Sequence, residues 1–359
     1  MGELSSLAQK TALDPAVIGA FLRSVNITVH DDEIQWSLLA GGRSNLTYLV
    51  NTPDHALVLR RPPFGAFDPR AHDVGREYRM LRALHPLGVP VPEPVGYCED
   101  AAKIGVPFYV MVKVDGRIVN AIPNAQDLID GKQLHALAGT IVDGLVNLHN
   151  IDPLQAGLEG KGKPQGFAAR QVKRWTQAWA AETGRPIPAL DEAARRLLAA
   201  LAAQLPLDAN PPTIVHGDYN IGNLLISKSG PPKLLAILDW EMSALGHPMM
   251  DLGLLTIYCE FVNTIFNIDN GLSALSDFPK TDYLARLYAK KSGRSIEMLD
   301  YFRALAFFKI IVITENIRAR TLAGEREGKD YTNVGEDDPA NAEALLDLMS
   351  RSSIACLRG

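Results

Sequence analysis

TIVHGDYNIGNLLI, residues 213–226, followed by LLAILDWE at 234–241, decides how this sequence is read. Three short apolar β-type runs, at 213–215, 223–226 and 234–238, alternate with two loops. The first run delivers His216-Gly217-Asp218 into a loop, Asn223 follows five residues after Asp218, and the third run delivers Asp239. A loop Asp, an Asn at that spacing and a strand-end Asp suit phosphoryl transfer, a reaction that leaves the protein mostly positioning and charge neutralisation. Asp218 is the natural partner of an attacking hydroxyl. Asn223 offers a neutral oxygen and Asp239 an anionic one, both suited to Mg²⁺. His216 is expected to brace the loop by hydrogen bonds rather than join the chemistry.

Outward from this segment the chain changes character once. The first third is rich in strands. After a helix from Asp14-Pro15 to Val25, β-type runs at 34–40, 46–51 and 56–60 are separated by Gly41-Gly42 and Thr52-Pro53-Asp54, which predicts an antiparallel meander. A helix within 71–88 and strands at 95–98 and 107–114 come next. Beyond Asp115-Gly116 helical patterns dominate, at 134–149, 167–180, 191–205, 252–266, 283–290, 298–323 and 340–350. The expectation is an α+β protein with a strand-rich lobe over 1–115 and a mainly helical lobe over 116–359.

The 359 residues carry 36 basic and 41 acidic side chains, a net charge of -5 that argues against a nucleic-acid binder. A hydrophobic share of 47% supports real cores. Cys98, Cys259 and Cys356 are widely spaced without a CxxC pair, and buried inert thiols are the expectation. With no long apolar run and no secretory pattern, the chain reads as soluble and cytoplasmic, without a membrane partner.

Taken in order, GGRSNLTY (41–48), LVLRRPP (57–63), HDVGREYRML (72–81), PFYVMVKVDG (107–116), HGDYNIGN (216–223) and LDWE (238–241) resemble the aminoglycoside phosphotransferase/choline kinase branch of the protein-kinase-like fold. The narrower resemblance is to phosphotransferase-like proteins associated with acyl-CoA dehydrogenases, and it covers roughly residues 15 to 330. It implies a two-lobed fold and transfer of the ATP γ-phosphoryl group to a small-molecule hydroxyl with Mg²⁺, GTP being left open. Gly42, Ser44 and Asn45 then resemble the loop that closes over the phosphates. Arg60 takes the place of the lysine that contacts them, with Glu77 as its partner and Arg61 as a possible sharer of the role. Backbone groups of Val112 and Val114 resemble the adenine-binding hinge. Asp251 is expected to brace the catalytic loop. Arg for Lys is a departure, because a planar fork replaces a compact point charge. Trp240-Glu241 also stands where protein kinases carry their switch dipeptide, so no activation-loop phosphorylation is inferred.

For the acceptor, the resemblance implies a hydroxy acid or hydroxyacyl-CoA and a link to an acyl-CoA dehydrogenase. The rival readings are an aminoglycoside or choline-type kinase, and a pseudokinase that binds nucleotide and regulates a dehydrogenase. Other residues have plainer readings. Asp73 reads as a helix cap rather than half of a pair with His72, and His149 as a packed helix-end residue. Trp175 and Trp179 read as core rather than substrate pocket, while Lys309, Arg318 and Arg320 are candidates for an anionic-substrate site.

Overall fold

The computed structural model describes residues 13–39, 45–63, 73–119, 130–158, 163–181, 184–207, 210–266, 275–324 and 334–359. Two compact units emerge: Met1–Gly116 with Leu235–Met242, and Arg117–Leu234 with Ser243–Gly359.

In the first unit, Asp14 starts helix α1 (Pro15–Ser24) by accepting the Ala16 N–H at 2.9 Å, with Pro15 in the first turn where no N–H is missed. Five antiparallel strands complete the sheet: β1 (Gln35–Leu38), β2 (Leu46–Asn51), β3 (Ala56–Arg61), β4 (Pro94–Cys98) and β5 (Phe108–Val112), in the order β1-β2-β3-β5-β4. The expected meander is β1-β2-β3. Residues two apart share a sheet face, so Leu57, Leu59 and Arg61 point one way and Val58 and Arg60 the other. The first face joins Tyr48, Val50, Phe108 and Val110 in a core closed by Ile18 and Leu22 of α1. Helix α2 (Val74–Leu84), capped by Asp73 through the Arg76 N–H, packs against β4 and β5.

The second unit is built on α3 (Gly131–His149), α4 (Phe167–Ala180) and α5 (Pro188–Ala202), then β6 (Thr213–Val215) and β7 (Leu224–Ile226). At β8 (Leu234–Ile237) the chain re-enters the first unit, where the Ile237 N–H donates to the Pro90 carbonyl at 2.8 Å. It leaves again into β9 (Ala244–Gly246), which pairs with β6, and then α6 (Met249–Phe266), α7 (Thr281–Ser292), α8 (Leu299–Leu322), α9 (Asp338–Ser350) and α10 (Ala355–Arg358). Helix α8 is the core of this unit, buried on nearly every side from Leu299 to Ile317. Gly253 of α6 lets the two helices approach: a Cβ there would sit 2.8 Å from the Phe302 carbonyl oxygen.

Two of the differences from the sequence expectation have a plain physical reason. The helix expected over 191–205 runs over 188–202, because Pro188 opens it one turn earlier. Of the three cysteines only Cys259 is buried, its thiol pushed up to about 12 by burial, whereas Cys98 and Cys356 are half-buried. Among the described residues no helix is long and apolar enough to cross a membrane.

Candidate active site

The first unit assembles a charged cluster on the α2 face of its sheet. Arg60 and Tyr109 are directly opposite each other on β3 and β5, so both side chains face α2. Glu77 meets them from that helix, 1% exposed. Arg60 Nε lies 3.1 Å from Glu77 Oε2, Tyr109 donates to Oε2 at 2.9 Å, and Asn45 Nδ2 donates to Oε1 at 2.7 Å. Arg60 Nη2 also lies 3.5 Å from Asp239 Oδ1. Burial works against the Arg60 charge, but the groups facing it, Glu77 foremost, hold its pKa above the ordinary value. Burial pushes the Glu77 carboxyl up against the pull of Arg60. Arg61 takes no part. Strand alternation turns it into the opposite face, where it is fully buried and donates to the Tyr48 hydroxyl at 2.8 Å.

Asp239 has φ +65°, a left-handed conformation that costs a non-glycine residue on the order of 1 kcal/mol or more. The next residue anchors this turn: Trp240 is buried, and its Nε1 donates to the Ile237 carbonyl at 3.0 Å. One carboxylate oxygen each from Glu77, Asp239 and Glu241 lies within 4.8 Å of the others. Since Glu77 is engaged by Arg60, Tyr109 and Asn45, Asp239 and Glu241 are the oxygens of this group better suited to a cation. Glu241 was not singled out in the sequence, where it reads only as the residue after Trp240. Gly42 and Ser44 lie outside the described residues. At the end of β5, the Val112 N–H donates to the Glu93 carbonyl at 2.8 Å and the Val114 carbonyl accepts from Gly116 at 3.2 Å.

The second unit holds the loop after β6. Gly217 has φ +82°, open to glycine and strained for other residues, so the chain turns sharply between His216 and Asp218. Asp251, fully buried at the start of α6, accepts the His216 and Gly217 N–H groups at 2.7 Å each. Burial opposes its charge, and the hydrogen bond from His149 leads the effects that bring its pKa below the usual carboxylate value. His149, at the end of α3, lies 3.2 Å from Asp251 through Nε2 and 2.7 Å from the Tyr288 hydroxyl through Nδ1. Burial lowers its pKa, so the neutral ring donates to Asp251 and accepts from Tyr288. Lys309 of α8, also buried, donates to the Gly217 carbonyl at 2.6 Å. It lies over the Trp175 ring, 5.7 Å from its centroid. His216 Nδ1 accepts the Asp218 N–H at 3.2 Å.

The loop presents Asp218 and Asn223 together. Asn223 closes a short turn (Ile221–Asn223) and directs Nδ2 to both the carbonyl and Oδ2 of Asp218, at 2.9 Å each. The amide nitrogen is thus engaged, and the side-chain oxygen is the atom left for a cation. Tyr258 of α6 brings its hydroxyl to 3.5 Å from Asp218 Oδ1.

Most of the sequence-predicted residues fall into these two groups: Asn45, Arg60, Glu77 and Asp239 in the first unit, Asp218 and Asn223 in the second. The proposed anionic-substrate set does not assemble. Lys309 is committed to Gly217, and Arg318 to Glu315 of its own helix, at 3.0 Å from Nε. Trp175 is buried as expected of core, while Trp179 donates to Asp191 at 2.7 Å. Sequence reading missed Tyr109 and Tyr258. Each had a positional signal: Tyr109 lies opposite Arg60 across the sheet, and Tyr258 stands seven residues, nearly two helical turns, after Asp251.

An antiparallel sheet bearing a buried Arg–Glu pair, with a mainly helical unit that displays a braced His-Gly-Asp loop, is the make-up of the protein-kinase-like fold. The chain belongs to the phosphotransferase enzyme family, whose model matches residues 35–284. It is 32% identical over 327 residues to acyl-CoA dehydrogenase family member 11 of Gallus gallus, covering 89% of this chain and 41% of that protein. The chain therefore spans about two fifths of the length of this curated relative. A "putative aminoglycoside phosphotransferase" of Ralstonia eutropha superposes with a TM-score of 0.78 at 28% identity, covering 94% of this chain and 98% of that one. Choline kinase of Cryptosporidium parvum shares the fold, with a TM-score of 0.65 at 14% identity over 96% of this chain and 99% of that one.

Proposed function

We propose that this chain is a Mg²⁺-dependent small-molecule kinase that transfers the γ-phosphoryl group of ATP to a hydroxyl. The observation that carries this reading is the arrangement of the loop after β6. Asp251, Lys309 and Asn223 fix its backbone and one oxygen of Asp218, and Oδ1, which faces the Tyr258 hydroxyl at 3.5 Å, is the oxygen proposed for the acceptor. In the reaction Asp218 takes the acceptor's hydroxyl proton. The acceptor oxygen forms a bond to the γ-phosphorus, the bond from that phosphorus to the β–γ bridging oxygen breaks, and ADP leaves.

The remaining roles come from the chemistry of the donors. Asn223 and Asp239 are the proposed Mg²⁺ ligands, a neutral oxygen and an anionic one. The ion, when bound, supplies neutralisation of phosphate charge. Arg60, kept charged and oriented by Glu77, is the cation proposed for the phosphates, and Asn45, bonded to the same Glu77, leads out of the nucleotide loop. The Val112 carbonyl and Val114 N–H complement the amino group and N1 of adenine. Guanine presents a carbonyl where adenine has that amino group, so these two groups favour ATP over GTP.

A hydroxy acid or hydroxyacyl-CoA is the proposed acceptor, with a functional link to an acyl-CoA dehydrogenase. Its support is the similarity of nearly the whole chain to part of a protein named for that family. One observation favours a second reading, a nucleotide-binding regulator without turnover: Arg60 replaces the expected lysine and already lies 3.5 Å from Asp239. Calorimetric titration with ATP, with and without Mg²⁺, combined with an ADP-release assay against hydroxy acids, hydroxyacyl-CoAs, aminoglycosides and choline, tests both. The kinase reading expects Mg²⁺-strengthened binding and turnover of one class. Tight ATP binding with no turnover of any acceptor favours the regulator.

A further inference from the structure

We propose that Tyr258 is an acceptor-binding residue whose phenol holds the acceptor oxygen against Asp218 Oδ1; this rests on the kinase reading above. Tyr258 stands seven residues after Asp251 on α6, so both side chains leave the same face of the helix. Asp251 clamps the loop backbone from that face, and Tyr258 meets the loop's own carboxylate nearly two turns further on.

The two oxygens of Asp218 have different surroundings. Oδ2 accepts Asn223 Nδ2 at 2.9 Å, and the Asp218 carbonyl accepts the side-chain amides of Asn223 and Asn220 at 2.9 and 3.1 Å. Oδ1 faces the half-buried Tyr258, whose hydroxyl oxygen lies 3.5 Å away. A closed O–H···O bond spans about 2.7 Å, so this pair is held slightly apart. Two oxygens at that separation can each lie about 2.8 Å from a third oxygen at the apex of a triangle.

An acceptor hydroxyl at the apex donates its proton to Asp218 Oδ1 and accepts a hydrogen bond from Tyr258. Both of its protein contacts are then fixed, and its remaining lone pair is directed away from them. As the O–H bond breaks and the proton passes to Oδ1, the electron pair left on oxygen forms the bond to phosphorus. The phenol O–H stabilises the charge that develops on that oxygen meanwhile. A single hydroxyl read in this way fits an alcohol acceptor, or a water molecule in its place.

Tyr258→Phe removes one oxygen and keeps the ring. The probe is MgATP hydrolysis without added acceptor, where water takes the acceptor position, alongside ATP affinity and the thermal unfolding midpoint. Turnover in Tyr258→Phe is expected to fall about 10-fold or more, with KM for ATP and the midpoint unchanged. Asp218→Ala is expected to fall further, and the double variant to lose nothing beyond Asp218→Ala. Full turnover in Tyr258→Phe when Asp218→Ala is inactive overturns the role of Tyr258 and leaves the kinase reading standing. An effect confined to KM for ATP overturns it equally. If wild type neither hydrolyses ATP nor phosphorylates any acceptor of the panel, or Asp218→Ala matches wild type, the kinase reading and this inference fall together.

Discussion

Asp251 accepts the Gly217 N–H through Oδ1 at 2.7 Å, and its other oxygen accepts the His216 N–H at the same distance. One buried carboxylate therefore satisfies two adjacent backbone donors on the turn that precedes Asp218. Asp251→Asn presents a single acceptor oxygen and turns an N–H₂ toward a donor. Each unsatisfied buried group costs about 1–3 kcal/mol, so the variant should lose about 3 kcal/mol in urea unfolding. Turnover should fall more than ATP affinity, because the clamp acts on the Asp218 loop. Equal stability of variant and wild type would show that the loop does not need the clamp.

Glu77 joins Arg60, Tyr109 and Asn45 at a single carboxylate. Removing one partner of a buried pair leaves the other charge poorly compensated, at a cost of about 3 kcal/mol or more. Chemical denaturation of Glu77→Ala should show that loss together with weakened ATP binding. Glu77→Gln, which still bonds Tyr109, should lose less stability. A Glu77→Ala chain with wild-type ATP affinity would remove Arg60 from the nucleotide account.

Gly253 tests the packing that aims α6. A Cβ there meets α8 backbone, 2.8 Å from the Phe302 oxygen and 3.1 Å from the Arg303 nitrogen. Backbone of this kind cannot swing aside as a flexible side chain would, and overpacking costs about 1–3 kcal/mol. Gly253→Ala should lower the thermal midpoint. Because α6 also carries Asp251 and Tyr258, turnover should drop with it.

His247 sets a pH dependence of stability. Burial first, then the neighbouring His149 and Arg294, hold its imidazole down at about 4. The ring stacks on Phe302 at 4.4 Å. Between the ordinary histidine value and about 4, the unfolded chain binds a proton that the folded chain refuses, so this contribution is lost as pH falls. His247→Phe abolishes the difference. Wild type should therefore lose about 2 kcal/mol relative to that variant between pH 7 and pH 5. Parallel stability curves for the two proteins would contradict this.

Much of this was legible in the sequence, for local reasons. Asp14-Pro15 and Asp73 mark helix starts through the orphan N–H groups that a cap must satisfy. Period-two alternation separates Arg60 from Arg61, although the sequence reading allowed them to share a role; the structure sends them to opposite faces. Lys309 was harder to place because α8 is apolar on almost every side, so its pattern does not reveal which residue meets which loop. The three residues of β9 are too few to show a period. Leu235–Met242 pack with the strand-rich unit through contacts such as Ile237 to Pro90, which no local pattern reports.

The central claim is phosphoryl transfer to a hydroxyl with Asp218 as proton acceptor. Phosphorus NMR of the protein incubated with MgATP and the acceptor panel tests it most directly. A phosphate-ester resonance should grow in step with ADP for one acceptor class, and be absent without Mg²⁺ or with Asp218→Ala. No ester from any acceptor while ATP stays bound, or an undiminished ester signal from Asp218→Ala, would contradict the account.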